Sequence, residues 1–248
     1  MKHQYFGDVN DYRKYGLLRI LQSTSGLRLG VCWMLTPDDT RADGKFISYL
    51  GDPKRWRSFD PDLFDSLVAA VAEGRRLDNV REKGFLDGAV LFEEGIPDDR
   101  HRRYRVMSAS SELLNACELV FFDPDNGMEI ATCKAGRKGS SKYLLWSEVA
   151  DQYVAGKSVL IYQHFRREER RRFISAMAAE FQNRTGCASV ACFRTSNVAF
   201  FLLIHPEHEQ RLLRSAQNVS ESWRGQIDVL IDPHTVDGSD VHIARAEA

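Results

Sequence analysis

No stretch of the 248 residues approaches the roughly 20 consecutive apolar positions that span a bilayer. The opening MKHQYFGDVNDYRKYG is too polar and too charged for a secretory leader, so the sequence predicts a cytoplasmic protein. Cysteine is sparse and scattered. The five cysteines, at 32, 117, 133, 187 and 192, form no CxxC pair and do not alternate with histidines, which argues against structural zinc and against a disulfide framework. An excess of charge is lacking too: the formal net charge of −1 means that any polyanion site must be local. Internal repeats are absent. The segments that look linker-like, the basic Gly/Ser stretch Lys134–Lys142 and the polar tail after Val236, do not separate two cores.

What is present is apolar content of 43%, enough in a chain of this length for one domain over residues 1–248, with a flexible tail from about 236. Residues 9–22 carry apolar side chains at helical spacing behind a possible Asp8 cap, with Gly16 a weak point. LRLGVCWML (27–35) is a near-continuous apolar run ending in Thr36-Pro37-Asp38-Asp39, a strand buried on both faces. The same event recurs at 89–94, 119–122 and 158–163. Helical patterns cover 61–74, 110–117, 146–155 and 166–182. This alternation predicts an α/β, doubly wound, mostly parallel Rossmann-like sheet. Strands 188–194 and 198–204, joined by Thr195-Ser196-Asn197, close it as an antiparallel hairpin.

Open α/β sheets bind ligands beyond the carboxyl ends of their strands, so the residues following each apolar run are the candidates. After 119–122 come Asp123, Pro124, Asp125, Asn126 and Gly127: two carboxylates, an amide and a glycine, although Asp-Pro and Asn-Gly are also ordinary turn formers. After the next run stand Tyr162, Gln163, His164 and Phe165. His164 would share a rim with Asp123 if these two strands are neighbours. Asp8, Asn10, Asp11, Arg13, Lys14 and Tyr15 crowd the start of the first helix, where Asp8 and Asp11 are accounted for by the helix dipole alone. Lys134, Arg137, Lys138 and Lys142 form a basic loop suited to the phosphates of RNA or DNA. The arginines of Arg100–Arg105 extend that surface. Those of Arg166–Arg172 are more simply paired with glutamates at helical spacing.

With these residues in view, the chain resembles the class I S-adenosylmethionine-dependent methyltransferases, and most of all the J-type ribosomal RNA adenine-N6 methyltransferases. Phe6-Gly-Asp-Val-Asn-Asp-Tyr-Arg-Lys-Tyr15 is similar to that family's N-terminal helix motif, with Lys14 matching its lysine and Tyr15 standing in place of its histidine. Asp123-Pro124-Asp125-Asn126 occupies the place of its Asp-Pro-Pro-Tyr. The resemblance implies methyl transfer to a nucleic acid or nucleotide. Asp123 and the Pro124 carbonyl would orient the acceptor nitrogen, and Lys14, Tyr15, Thr36, Glu94 and Ser110 would lie around S-adenosylmethionine. Asn126 cannot stack on a base as the family's tyrosine does, so Tyr162 or Phe165 is expected to supply the aromatic face. The loop 36–44, in the place of a glycine-rich cofactor turn, holds a single glycine.

Two further readings stand beside this one. In the first, Asp123 and Asp125, with Asp38 or Asp39, bind Mg²⁺ for a hydrolase or nuclease in which His164 moves protons. The second is a non-catalytic relative that binds nucleic acid or protein.

Overall fold

The computed structural model describes residues 1–38 and 46–232. Nine strands and eight α-helices alternate through these residues. The strands are β1 (Leu29–Cys32), β2 (Val90–Phe92), β3 (Leu119–Phe122), β4 (Gly127–Met128), β5 (Tyr143–Leu144), β6 (Ser158–His164), β7 (Ser189–Arg194), β8 (Val198–Ile204) and β9 (Asp228–Ile231). The helices are α1 (Val9–Ser25), α2 (Pro53–Trp56), α3 (Pro61–Glu73), α4 (Asn79–Glu82), α5 (Arg100–Leu113), α6 (Trp146–Val154), α7 (Arg170–Thr185) and α8 (Glu209–Ser222).

Seven strands form one sheet in the order β2-β1-β3-β6-β8-β7-β9, and β4 pairs with β5 in a small parallel sheet. The pairings β1–β2, β1–β3 and β3–β6 are parallel, while β8 runs antiparallel between β6 and β7. This is the expected mixed α/β sheet with its antiparallel hairpin, to which β9 adds an unexpected antiparallel edge strand beside β7. Strand pleating sends alternate residues to opposite faces. Leu29, Val31, Trp33, Leu119 and Phe121 join α1, α3 and α8 on one side. Cys32, Met34, Val120 and Phe122 meet α5, α6 and α7 on the other. Burial on both faces is why the strands read as apolar runs rather than alternating ones.

Several expectations shift. The helix expected at 110–117 is the end of α5, which begins at Arg100, where the Asp99 carboxylate accepts from the Arg102 amide at 2.8 Å. Its polar opening turns concealed it. It stops where the Lys157 ammonium donates to the carbonyls of Leu114, Asn115 and Cys117. The helix expected from 166 starts at Arg170, because Glu169 caps it through the amides of Arg171 and Arg172. The stretch 134–142 is not a linker: Asp98 accepts from the Gly139 and Ser141 amides, and Arg103 donates to the Ser140 carbonyl. Gly16, weak in propensity terms, is the seat of the Trp223 indole, which a Cβ would overlap. Asp39 and the tail from 236 lie outside the described residues.

Candidate functional site

The chain passes from β1 to β2 on one side and later returns to place β3 on the other, so the sheet's topological switch lies at β1. Beyond the carboxyl ends of the strands to the β3 side opens a cavity of about 460 Å³. Three parts of the chain build most of its walls.

The first is the start of α1. Asp8 caps the helix, accepting from the Asn10 amide at 2.8 Å and the Phe46 amide at 3.2 Å. One turn on, Asp11 accepts from the Gly7 amide at 3.0 Å, and its other oxygen lies 2.7 Å from Lys14 Nζ. Asp8, Asn10, Asp11 and Lys14 all line the cavity. The helix is buried nearly all round over Asp11–Leu18, so these polar groups are enclosed by the core and are more than a dipole ornament.

The second part is the loop after β3. Lys14 Nζ donates to Asp123 Oδ2 at 2.7 Å, so one buried ammonium bridges Asp11 and Asp123. Asp123 lines the cavity, and Oδ2 is the oxygen that the lysine holds. Asp125 accepts from Thr36 Oγ1 at 2.5 Å and pairs with the Met1 α-amino group at 2.8 Å. Gly127 has φ 96, a conformation that side chains resist, and its bare Cα admits the Gln163 carboxamide. Gln163 Oε1 accepts from the Met128 amide at 2.8 Å, and Nε2 donates to the His164 carbonyl at 2.8 Å, so the end of β6 holds the loop in place.

The third part comes from β6 and the hairpin turn. β3 and β6 are neighbours, with Phe122 opposite Ile161, and His164 lines the same cavity as Asp123, as do Tyr162, Asn197 and Val198. The rings of Tyr162 and His164 meet edge-on at 5.1 Å.

Charge is redistributed accordingly. Burial lifts Asp11 from 3.8 to about 6, against the pull of Lys14. Burial depresses Lys14, but Asp11 and Asp123 outweigh it and leave the ammonium above its ordinary value. Burial raises Asp125, but the Met1 amine and the Thr36 hydroxyl bring it below the usual carboxylate range. His164 is lowered, chiefly by desolvation, with Asp123 and Asp125 opposing. A neutral imidazole and a carboxyl of intermediate pKa in one cavity are the ingredients of acid–base chemistry.

The candidates thus divide. Asp123, Pro124, Asp125, Asn126, His164 and Lys14 share the cavity. Tyr15 is fully buried, edge-on to Trp33 and 5.7 Å from Phe85. Thr36 is turned inward to Asp125, Ser110 is buried against the Cys32 thiol, and Glu94 is exposed. Of the five groups expected around a methyl donor, one lines the cavity, so the set does not fit a cofactor held by all five. Phe165 packs against Phe173, leaving Tyr162 as the aromatic face. Tyr5, Phe46 and Asn197 line the cavity without having stood out in sequence. Asn197 was visible only as a turn residue, and Tyr5 and Phe46 carried no motif. Among the described residues, no three carboxylate, imidazole or thiolate groups converge as metal ligands. No helix among them is long and apolar enough to cross a membrane.

No family model and no curated protein matches the chain. Among solved structures it is similar to that of a Legionella pneumophila protein assigned to the DUF519 family model. The likeness covers 91% of this chain and 97% of that one, at 11% identity and a TM-score of 0.44.

Proposed function

We propose that this chain is a methyltransferase-like protein that takes an amino-bearing nucleobase, as a nucleoside or within nucleic acid, into the cavity at the end of β3. The observation that carries the reading is Asp123. Its Oδ2 is fixed by Lys14, and the residue lines the cavity together with Tyr162, Asn126 and His164. An exocyclic amine offers two N–H donors. One would meet Asp123 Oδ1 and the other the Pro124 carbonyl, while Tyr162 or Phe46 offers a stacking face. A carboxylate immobilised by a buried ion pair keeps its free oxygen aimed without further ordering cost. His164 and Asp11, which line the same cavity, would exchange a proton with the bound base.

The basic loop supplies a surface for a polynucleotide backbone. Arg137 and Lys138 are exposed, and the Arg100 side chain lies against Gly136 at the foot of the same loop. A cytoplasmic setting belongs to the same reading.

The test is calorimetric titration of the full chain with adenosine and cytidine against inosine and uridine. We expect the amino-bearing nucleosides to bind at least tenfold more tightly, and Asp123→Asn, with folding checked by circular dichroism, to erase the difference. Equal affinity for adenosine and inosine, or an unaltered preference in Asp123→Asn, would sink the reading.

A further inference from the structure

Ligands in open α/β sheets enter the crevice at the topological switch, where a glycine-rich turn lets them approach the backbone. In this chain that ground is built over. β1 leaves the sheet through Trp33 and Met34, both fully buried, one on each face. Met34 adopts φ 48, a left-handed conformation in which a glycine is usual and a side chain is strained. The crevice between the ends of β1 and β3 is bridged by the chain's own groups: the Thr36 amide donates to the Met1 carbonyl at 3.0 Å, and the Thr36 hydroxyl to Asp125 at 2.5 Å.

The ends of β1 and β2 are also drawn together past the sheet. Leu35 bridges Gly95, and the Ile96 amide donates to the Leu35 carbonyl at 2.8 Å. Glu94, one of the residues expected around S-adenosylmethionine, is exposed beside this closure. The Tyr15 hydroxyl turns to Asp11 at 3.4 Å, inside the core.

We infer that this chain is a reader and not a writer: it binds its base without S-adenosylmethionine, because the donor half of the site is closed by side chains and backbone of the chain itself. The base-binding half of the statement rests on the reading proposed above; the closure of the donor half does not. The geometry of Asp123, Lys14 and Tyr162 then serves recognition, and no methyl group has a path to the amine.

The experiment is titration of the full chain with S-adenosylmethionine and with S-adenosylhomocysteine, each with and without adenosine, alongside a transfer assay with methyl-labelled donor. A cooperative melting transition is confirmed on the same sample. We expect no binding of either cofactor form at millimolar concentration, no shift in melting temperature, and no label on adenosine or on an adenosine-containing oligonucleotide. Micromolar binding of either form, or label transfer, overturns the inference whatever adenosine does. If the cofactors are silent and adenosine binds, both statements stand. If adenosine is silent as well, the closed donor half stands and the base-binding reading falls.

Discussion

Replacing Lys14 with methionine keeps the length of the side chain and removes the charge that joins Asp11 to Asp123. The ammonium lies 2.7 Å from an oxygen of each, and all three side chains are at most 6% exposed, so its loss leaves two carboxylates largely withdrawn from solvent. Stripping one partner from a buried pair costs about 3–5 kcal/mol. Part of this is recovered by protonation. Asp11 already sits at about 6 with Lys14 lowering it, so without the lysine it rises further and holds a proton at neutral pH. In the wild-type protein the rise of Asp11 from 3.8 to about 6 means that about 3 kcal/mol is given up as pH climbs through that interval, because the folded state binds the extra proton. In the variant the falling limb extends upward past neutrality. Lys14, raised above its unfolded value, contributes fully below pH 10.5, so once Asp11 has ionised near pH 6 the wild-type protein loses nothing further from this pair while the variant goes on falling. The gap between the two proteins therefore widens from pH 5 to pH 8, reaching a loss in melting temperature of about 10 °C. Urea or thermal melts at closely spaced pH values measure it. A gap below about 1 kcal/mol, or one that does not grow with pH, would refute the buried triad.

Gly127→Ala must place a Cβ where the Gln163 carboxamide sits, at φ 96, and should cost about 2 kcal/mol in urea melts; adding Gln163→Ala should recover part of it, giving a coupling above about 0.5 kcal/mol. Gly16→Ala improves helix propensity by about 1 kcal/mol but collides with Trp223, so the net change should be a destabilisation of about 1–2 kcal/mol; a more stable variant would contradict the packing. His164 should titrate below 6.5 by NMR, and lower still in Asp123→Asn, which removes the charge that supports its imidazolium; its contribution to stability is full above 6.5 and lost as pH falls from there through its lowered value. Arg137→Ala combined with Lys138→Ala should weaken oligonucleotide binding evenly across sequences and reduce the salt slope by about 1 for each phosphate left without its cation; an unchanged slope would remove the loop from the interface.

The sheet was legible because its strands are buried on both faces and end in polar loops, which gives long apolar runs with sharp stops. The small sheet of β4 and β5, the first ten residues of α5, and α8 with β9 were not. Two-residue strands leave no pattern, the opening of α5 is RHRRYRV, and α8 is so polar that its narrow apolar stripe escapes notice. The strand-end loop announced itself through Asp123 and Asp125. The N-terminal cluster did not, since Asp8 and Asp11 would suit any helix start. Their enclosure follows from packing against residues as far off as Phe46 and Asp123, which no local pattern encodes.

That separation also bears on when the site comes into being. Lys14 meets Asp123 across 109 positions, and the cavity is closed by Asn197 and Val198 from the hairpin that inserts β8 beside β6. A chain emerging from the ribosome makes its first helix early, with Asp11 and Lys14 on it, but those groups stay in water until β3 is laid beside β1. The pocket is thus among the last features to form. A nascent or truncated chain that stops before residue 197 carries every acidic residue of the site and lacks the wall that Asn197 and Val198 supply.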